Sequence, residues 1–238
     1  MSRVAAIITA GGIGARTGME IPKQFVVVEG KPVVIHTLEV FNNHPEIDII
    51  CVPCLVGWEE RLESYAKEFC ISKLKLIVQG GETGFLSIRN ALFALKPHLD
   101  DKDIVMVHDG IRPLVSERLI SDNLVLCRAK GNAVAVVDCL ETMLQVDCAD
   151  SASAQTSLDK DRIKRAQAPQ SLTFGEFMAL HRAAQQNITT DAVATSALLT
   201  ALGRRVWIHR GDEGNIKITH TQDIEIFRTI LSLRNQPK

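Results

Sequence analysis

The chain has 238 residues, 46% of them hydrophobic and 23% charged, with a formal net charge of -1, an ordinary globular composition ample for one large core. Near-neutral charge argues against a nucleic-acid binder, which carries a basic excess or stripe, and leaves room for a small anion held by a few placed cations. The opening MSRVAAIITAGG has too short an apolar run for a secretory signal, and no stretch approaches the roughly 18 apolar residues of a membrane span, so a cytoplasmic location is expected.

In chain order, the first β-branched run, VAAIITA (4–10), predicts a buried strand. It leads into Gly11, Gly12, Ile13, Gly14, Ala15, Arg16, Thr17 and Gly18, and then into Pro22, Lys23 and Gln24. Glycine tolerates positive φ and lets backbone N–H groups approach an oxyanion closely. The dinucleotide fingerprint G-x-G-x-x-G fails here, because the spacing from Gly12 is G-x-G-x-x-x-G, and the P-loop fails because no G-K-[ST] follows. A glycine loop followed by two cations suits nucleotidyl transfer. Attack at an α-phosphate builds negative charge on the phosphoryl oxygens and on the departing pyrophosphate, which Arg16 and Lys23 can stabilise, often with Mg²⁺. Pro22 restricts the backbone just before Lys23. The plainer alternative is a glycine-rich turn with solvated charges.

Beyond the loop, short β-branched runs alternate with amphipathic stretches. Strands are expected at 47–53, 73–78, 103–109, 132–138 and 204–210, and helices in VVIHTLEVFNNH, WEERLESYAKEFC, SIRNALFALKPHL, ERLISDNLVLCRAKG, TFGEFMALHRAAQQ and ATSALLTALG. This pattern predicts one α/β domain over 1–238, a Rossmann-like, mostly parallel sheet with helices on both faces and a ligand crevice at the carboxyl ends of the strands. Cys51 and Cys54 form a C-x-x-C that closes a strand rather than opening a helix. With no second C-x-x-C, the six cysteines are expected to be structural thiols. Residues 139–168 break the rhythm with a polar Asp/Ser/Ala patch, and predict a projecting hairpin-like β-arm rather than a crossover; a floppy surface loop is the alternative.

A-G-G-x-G-x-R followed by P-K-Q-F resembles the opening of the CTP-dependent polyol-phosphate cytidylyltransferases, which activate 2-C-methyl-D-erythritol 4-phosphate or, in a close branch, ribitol 5-phosphate. The resemblance runs on through GG (80–81) with Ser87, VHDGIRP (107–113), LET (140–142), QAPQ (167–170) and NIKIT (215–219). Each motif is weak alone; their order and spacing together are specific. The resemblance implies that Ala10, Gly11, Gly12 and Gly14 line the nucleotide loop, and that Arg16 and Lys23 stabilise the transition state. It places Gly81, Glu82 and Ser87 at the cytosine and ribose, and Asp109 beside the metal, Mg²⁺ or another divalent cation, and the ribose. Arg112, Thr142 and Lys160 would contact the polyol phosphate, and Lys217 the phosphates of both substrates. In the family the arm swaps across a homodimer, so that Thr142 and Lys160 would serve the partner's site.

The chain departs from the pattern at Gly84, where the family usually has arginine, at Ala168 in Q-T-P-Q, and at Lys160 in place of the arm arginine, with Arg162 and Arg165 nearby. Asp191 is the one acid in a stretch that is acidic in the family. These departures bear on the acceptor side, and the sequence leaves methylerythritol and ribitol phosphates evenly matched. A sugar-1-phosphate nucleotidyltransferase, a non-catalytic nucleotide-binding regulator and an NAD-dependent oxidoreductase are the alternatives from other classes.

Overall fold

The computed structural model describes residues 2–12, 21–146, 154–186 and 194–234. The chain opens with β1 (Val4–Thr9), followed by the two-residue strands β2 (Val27–Val28) and β3 (Lys31–Pro32) and by helix α1 (Val33–Asn43). Next come β4 (Ile49–Cys54), α2 (Glu59–Glu68), β5 (Leu74–Gln79), α3 (Gly84–Leu95), β6 (Ile104–Asp109), α4 (Glu117–Lys130) and β7 (Asn132–Asp138). The last part holds β8 (Met143–Val146), β9 (Ala154–Leu158), β10 (Lys164–Thr173), α5 (Phe174–Gln186), α6 (Thr195–Ala201), β11 (Ile208–Arg210) and α7 (Thr221–Arg234).

Among the described residues the main sheet has seven strands in the order β11-β7-β10-β6-β1-β4-β5. All neighbours are parallel except β10, which runs antiparallel to both β6 and β7. Period-two alternation splits the core between the two faces. Val4, Ala6 and Ile8 pack with α1, α2 and α4, whereas Ala5 and Ile7 pack with α3, α5 and α6. Each fully buried Ile or Leu in these layers contributes on the order of 2 kcal/mol of transfer free energy. A third cluster seals α7 over β2–β3 through Val28, Ile111, Ile218 and Phe227. The helix ends follow local chemistry: Thr83 and Ser116 cap α3 and α4 by accepting from Leu86 N and Leu119 N, and Gly131, at φ 87, ends α4.

Cys51 and Cys54 lie on opposite faces of β4, in different core layers, so they do not form a pair. Burial pushes both thiols up to about 12, which suits inert packing groups. No helix among the described residues is long and apolar enough to cross a membrane.

Two expectations change, and two elements, β10 and α7, are added. The run 204–210 shortens to Ile208–Arg210, because the Asn132 carboxamide donates to Arg205 O and accepts from Trp207 N, taking the place of a strand ladder there. The arm is a hairpin of β8 and β9, but its boundary moves: 164–168 belong to β10 in the main sheet, with Gln167 and Ala168 buried. β10 itself went unread, since polar side chains and Pro169 argue against a central strand. Its register shifts between Ala166 and Gln170, and that irregularity accommodates the proline. Helix α7 was also unread.

Candidate active site

The sheet order reverses between β1 and β6, and a cleft of about 860 Å³ opens at the carboxyl ends of the strands there. Its lining joins Ala10–Gly12 after β1, Lys23 and Gln24, the 80–84 turn after β5, Asp109 and Arg112 after β6, the β10 irregularity, and Lys217.

Two glycine turns approach each other on one wall. A Cβ on Gly80 would lie 2.9 Å from the Cys54 carbonyl oxygen and 3.2 Å from Gly11 Cα, while one on Gly81 would lie 2.3 Å from Leu86 Cβ. Only glycine fits either place. The Ser87 hydroxyl, on the first turn of α3, accepts from Gly81 N at 2.9 Å and donates to Thr83 O at 3.0 Å, so it holds this turn against the helix. The Gln24 carboxamide fixes the other loop, donating to the carbonyls of Ala10 (2.9 Å) and Gly12 (3.0 Å). Its neighbour Lys23, in the turn Lys23–Phe25, is only 8% exposed and borders the cleft. Phe25 stacks on Trp58 with ring centroids 4.5 Å apart, anchoring that turn to the start of α2.

On the opposite wall Asp109 ends β6 between two cations. Arg112 Nε donates to its Oδ2 at 2.8 Å, and Lys217 Nζ to its Oδ1 at 3.2 Å. Burial raises this carboxyl, but Lys217 and Arg112 together outweigh burial, and the net direction is down from 3.8. Asp109 is therefore ionised at neutral pH. Beneath it His108 is fully buried and donates from Nε2 to Arg112 O at 3.3 Å; burial pushes its imidazole down to about 4, so it is a neutral support.

Ala10, Gly11, Gly12, Lys23, Gly81, Glu82, Ser87, Asp109, Arg112 and Lys217, all singled out from the sequence, come together in this cleft. Arg16 and Gly14 lie outside the described residues, as does Asp191. Thr142 and Lys160 sit exposed on the arm and do not line their own chain's cleft. Gln24 was missed as a functional residue. Its neighbours marked the turn, but a side chain that holds main-chain carbonyls leaves no spacing pattern.

A divalent cation fits this donor set in one way. Among the described residues no cluster of three His, Cys, Asp or Glu could cage a metal. The ionised, partly exposed Asp109 carboxylate could share Mg²⁺ with substrate phosphates, which is how Mg²⁺ usually binds beside triphosphates.

Residues 4–233 match the family model described as IspD, 2-C-methyl-D-erythritol 4-phosphate cytidylyltransferase. The chain is 38% identical over 230 residues to the ribitol-5-phosphate cytidylyltransferase of Lacticaseibacillus paracasei, covering 96% of this chain and 97% of that one. It is 31% identical over 242 residues to the 2-C-methyl-D-erythritol 4-phosphate cytidylyltransferase of Geotalea uraniireducens, covering 99% and 100%. The crystal structure of the Francisella tularensis 2-C-methyl-D-erythritol 4-phosphate cytidylyltransferase matches with a TM-score of 0.80 at 29% identity, covering 96% and 99%.

Proposed function

Because the chain belongs to the IspD family of cytidylyltransferases, we propose that it transfers the cytidylyl group of CTP to D-ribitol 5-phosphate, releasing diphosphate. The family match, spanning the glycine loop, the arm and the NIKIT segment, makes it a nucleotidyltransferase and sets aside the regulator and dinucleotide readings. The observation that carries the reaction is the grouping of Arg112, Asp109 and Lys217 on one wall of the cleft that Lys23 and the glycine turns also line.

A phosphate oxygen of the acceptor attacks the α-phosphorus of CTP. The new P–O bond forms as the bond to the β-phosphate breaks, and diphosphate leaves. Lys23 and Arg16 stabilise the charge that builds on the phosphoryl group, and Lys217 bridges the phosphates of both substrates. The turns at 10–12 and 80–82 offer main-chain groups to the triphosphate and cytidine, small enough to admit them. Arg112 orients the acceptor phosphate. Asp109 holds both cations and would ligate Mg²⁺, which when bound neutralises the triphosphate. Thr142 and Lys160 complete the acceptor site from a second subunit, in a homodimer joined by the arm.

Ribitol phosphate is favoured by the 38% relative. Methylerythritol phosphate is the second reading, favoured by the family model and the 31% relative. Each of the four nucleoside triphosphates should be incubated with both polyol phosphates and a sugar 1-phosphate, with diphosphate release as readout. Turnover should need CTP, D-ribitol 5-phosphate and a divalent cation. Equal rates with UTP would overturn the base assignment, full turnover in excess EDTA the metal, and turnover with methylerythritol phosphate alone the choice of acceptor.

A further inference from the structure

Two buried carboxamides, from the QAPQ and NIKIT segments, have no part in the chemistry above. Gln167 is 5% exposed and Asn215 0%. Gln167 sits where the β10 ladder to β7 is interrupted, and its side chain pairs with main chain instead. Its Nε2 donates to Asp212 O at 3.0 Å and its Oε1 accepts from Asp212 N at 3.2 Å. The fit is close: a Cβ on Gly211 would come within 2.5 Å of Gln167 Oε1 and 3.0 Å of Val136 O. Asn215 answers from the other side. Its Nδ2 donates to Ala168 O at 2.7 Å, and its main-chain N donates to Asp212 O at 3.0 Å. The consequence appears at the next atom along. Asn215 O accepts from Arg112 Nη1 at 2.8 Å, and two residues on, Lys217 reaches Asp109.

We propose that Gln167 is a positioning residue: by clamping Asp212 it holds segment 211–217 against β10, so that the Asn215 carbonyl aims the Arg112 guanidinium at the acceptor phosphate. A guanidinium has a fixed fork of donors, so gripping one nitrogen from Asn215 and another from Asp109 leaves the remaining donors in one orientation. Neither carboxamide needs to touch substrate. This inference rests on the role of Arg112 given above, and the experiment separates the two.

Gln167→Ala, Arg112→Lys and their combination are assayed for acceptor KM and kcat, for CTP affinity by calorimetry without acceptor, and for Tm. Loosening the guanidinium should raise the acceptor KM about ten-fold for Gln167→Ala, equivalent to about 1.4 kcal/mol. Lys217 is also anchored independently of Gln167, because the buried neighbour Ile218 donates from N to Ile111 O at 2.9 Å, so CTP affinity should stay within about two-fold. Since Gln167 acts through the guanidinium, Gln167→Ala should add little once Arg112 is lysine. Should Gln167→Ala fail to fold, Gln167→Glu takes its place, because it keeps the side-chain volume and the acceptor for Asp212 N while losing the Nε2 donor. An unchanged acceptor KM for the Gln167 variant, beside a raised one for Arg112→Lys, overturns the clamp alone. Unchanged KM in both overturns the Arg112 assignment and the clamp with it. Equal weakening of CTP and acceptor, or full additivity in the double variant, reduces Gln167 to a structural or directly contacting residue and also overturns the proposal.

Discussion

Lys23 is buried to 8% exposure at the edge of the cleft, so little water screens its ammonium from charge developing opposite it. Two contacts hold its turn: Gln24 binds the glycine loop on one side and Phe25 stacks on Trp58 on the other. A cation fixed before the reaction need not reorganise during it. Lys23→Ala should therefore lower kcat by on the order of 10², about 3 kcal/mol, and weaken CTP binding far less. Single-turnover kinetics beside calorimetry checks the split. Lys31 serves as control, because its ammonium pairs with Glu39 at 2.6 Å at a half-exposed site outside the cleft. Lys31→Ala should leave kcat unchanged and cost less than about 1 kcal/mol of stability. A Lys23→Ala protein with native turnover would remove the central residue of the mechanism.

At the scale of elements, α3 and α5 meet over one sheet face, and His181 of α5 stacks on Phe85 of α3 with ring centroids 4.4 Å apart. The ring is 5% exposed and its Nδ1 has no hydrogen-bond partner among the described residues. Burial, helped by Arg89, pushes this imidazole down to about 4 from 6.5. The unfolded chain then binds a proton between those values that the folded chain refuses, so stability falls as pH drops from 6.5 toward 4 and is unaffected above. His181→Leu keeps the apolar contact and should flatten that decline by roughly 3 kcal/mol at pH 4, read from urea unfolding at pH 7 and pH 4. An unchanged slope would mean that the imidazole charges without opening the helix pair. The parallel elements were legible because apolar runs and amphipathic stretches alternate cleanly around Val4–Thr9 and Ile104–Asp109. β10 was not, since Gln167, Pro169 and Gln170 belong to a central strand only when seen with the side-chain bonds that occupy its irregularity. The site divides likewise. Lys23, Asp109, Arg112 and Lys217 announce themselves as charges in motifs, whereas Gln24, Gln167 and Asn215 act through main-chain contacts that depend on the fold.

For the whole molecule, the arm is the part that a single chain leaves unexplained. Among the described residues its two strands pair only with each other, and Leu140, Met143, Leu144 and Val146 are exposed at 78%, 44%, 62% and 47%. A lone two-stranded ribbon is marginally stable in water, and exposed apolar side chains along it call for a covering surface. Among the described residues the chain's own cleft gathers both glycine turns, Lys23, Arg112 and Lys217, but neither Thr142 nor Lys160. In the proposed homodimer a second copy would answer both needs, covering these apolar side chains and receiving Thr142 and Lys160. Replacing residues 143–158 with a short Gly-Ser linker should then convert a sedimenting dimer to monomer and raise the acceptor KM, while CTP affinity in calorimetry stays near native. Thr142→Ala and Lys160→Ala, which leave the arm's apolar side chains in place, should raise the acceptor KM without dissociating the dimer. A native protein that sediments as a fully active monomer would overturn the swapped arm. A dimer whose acceptor KM ignores both point variants would leave the arm as an assembly device only.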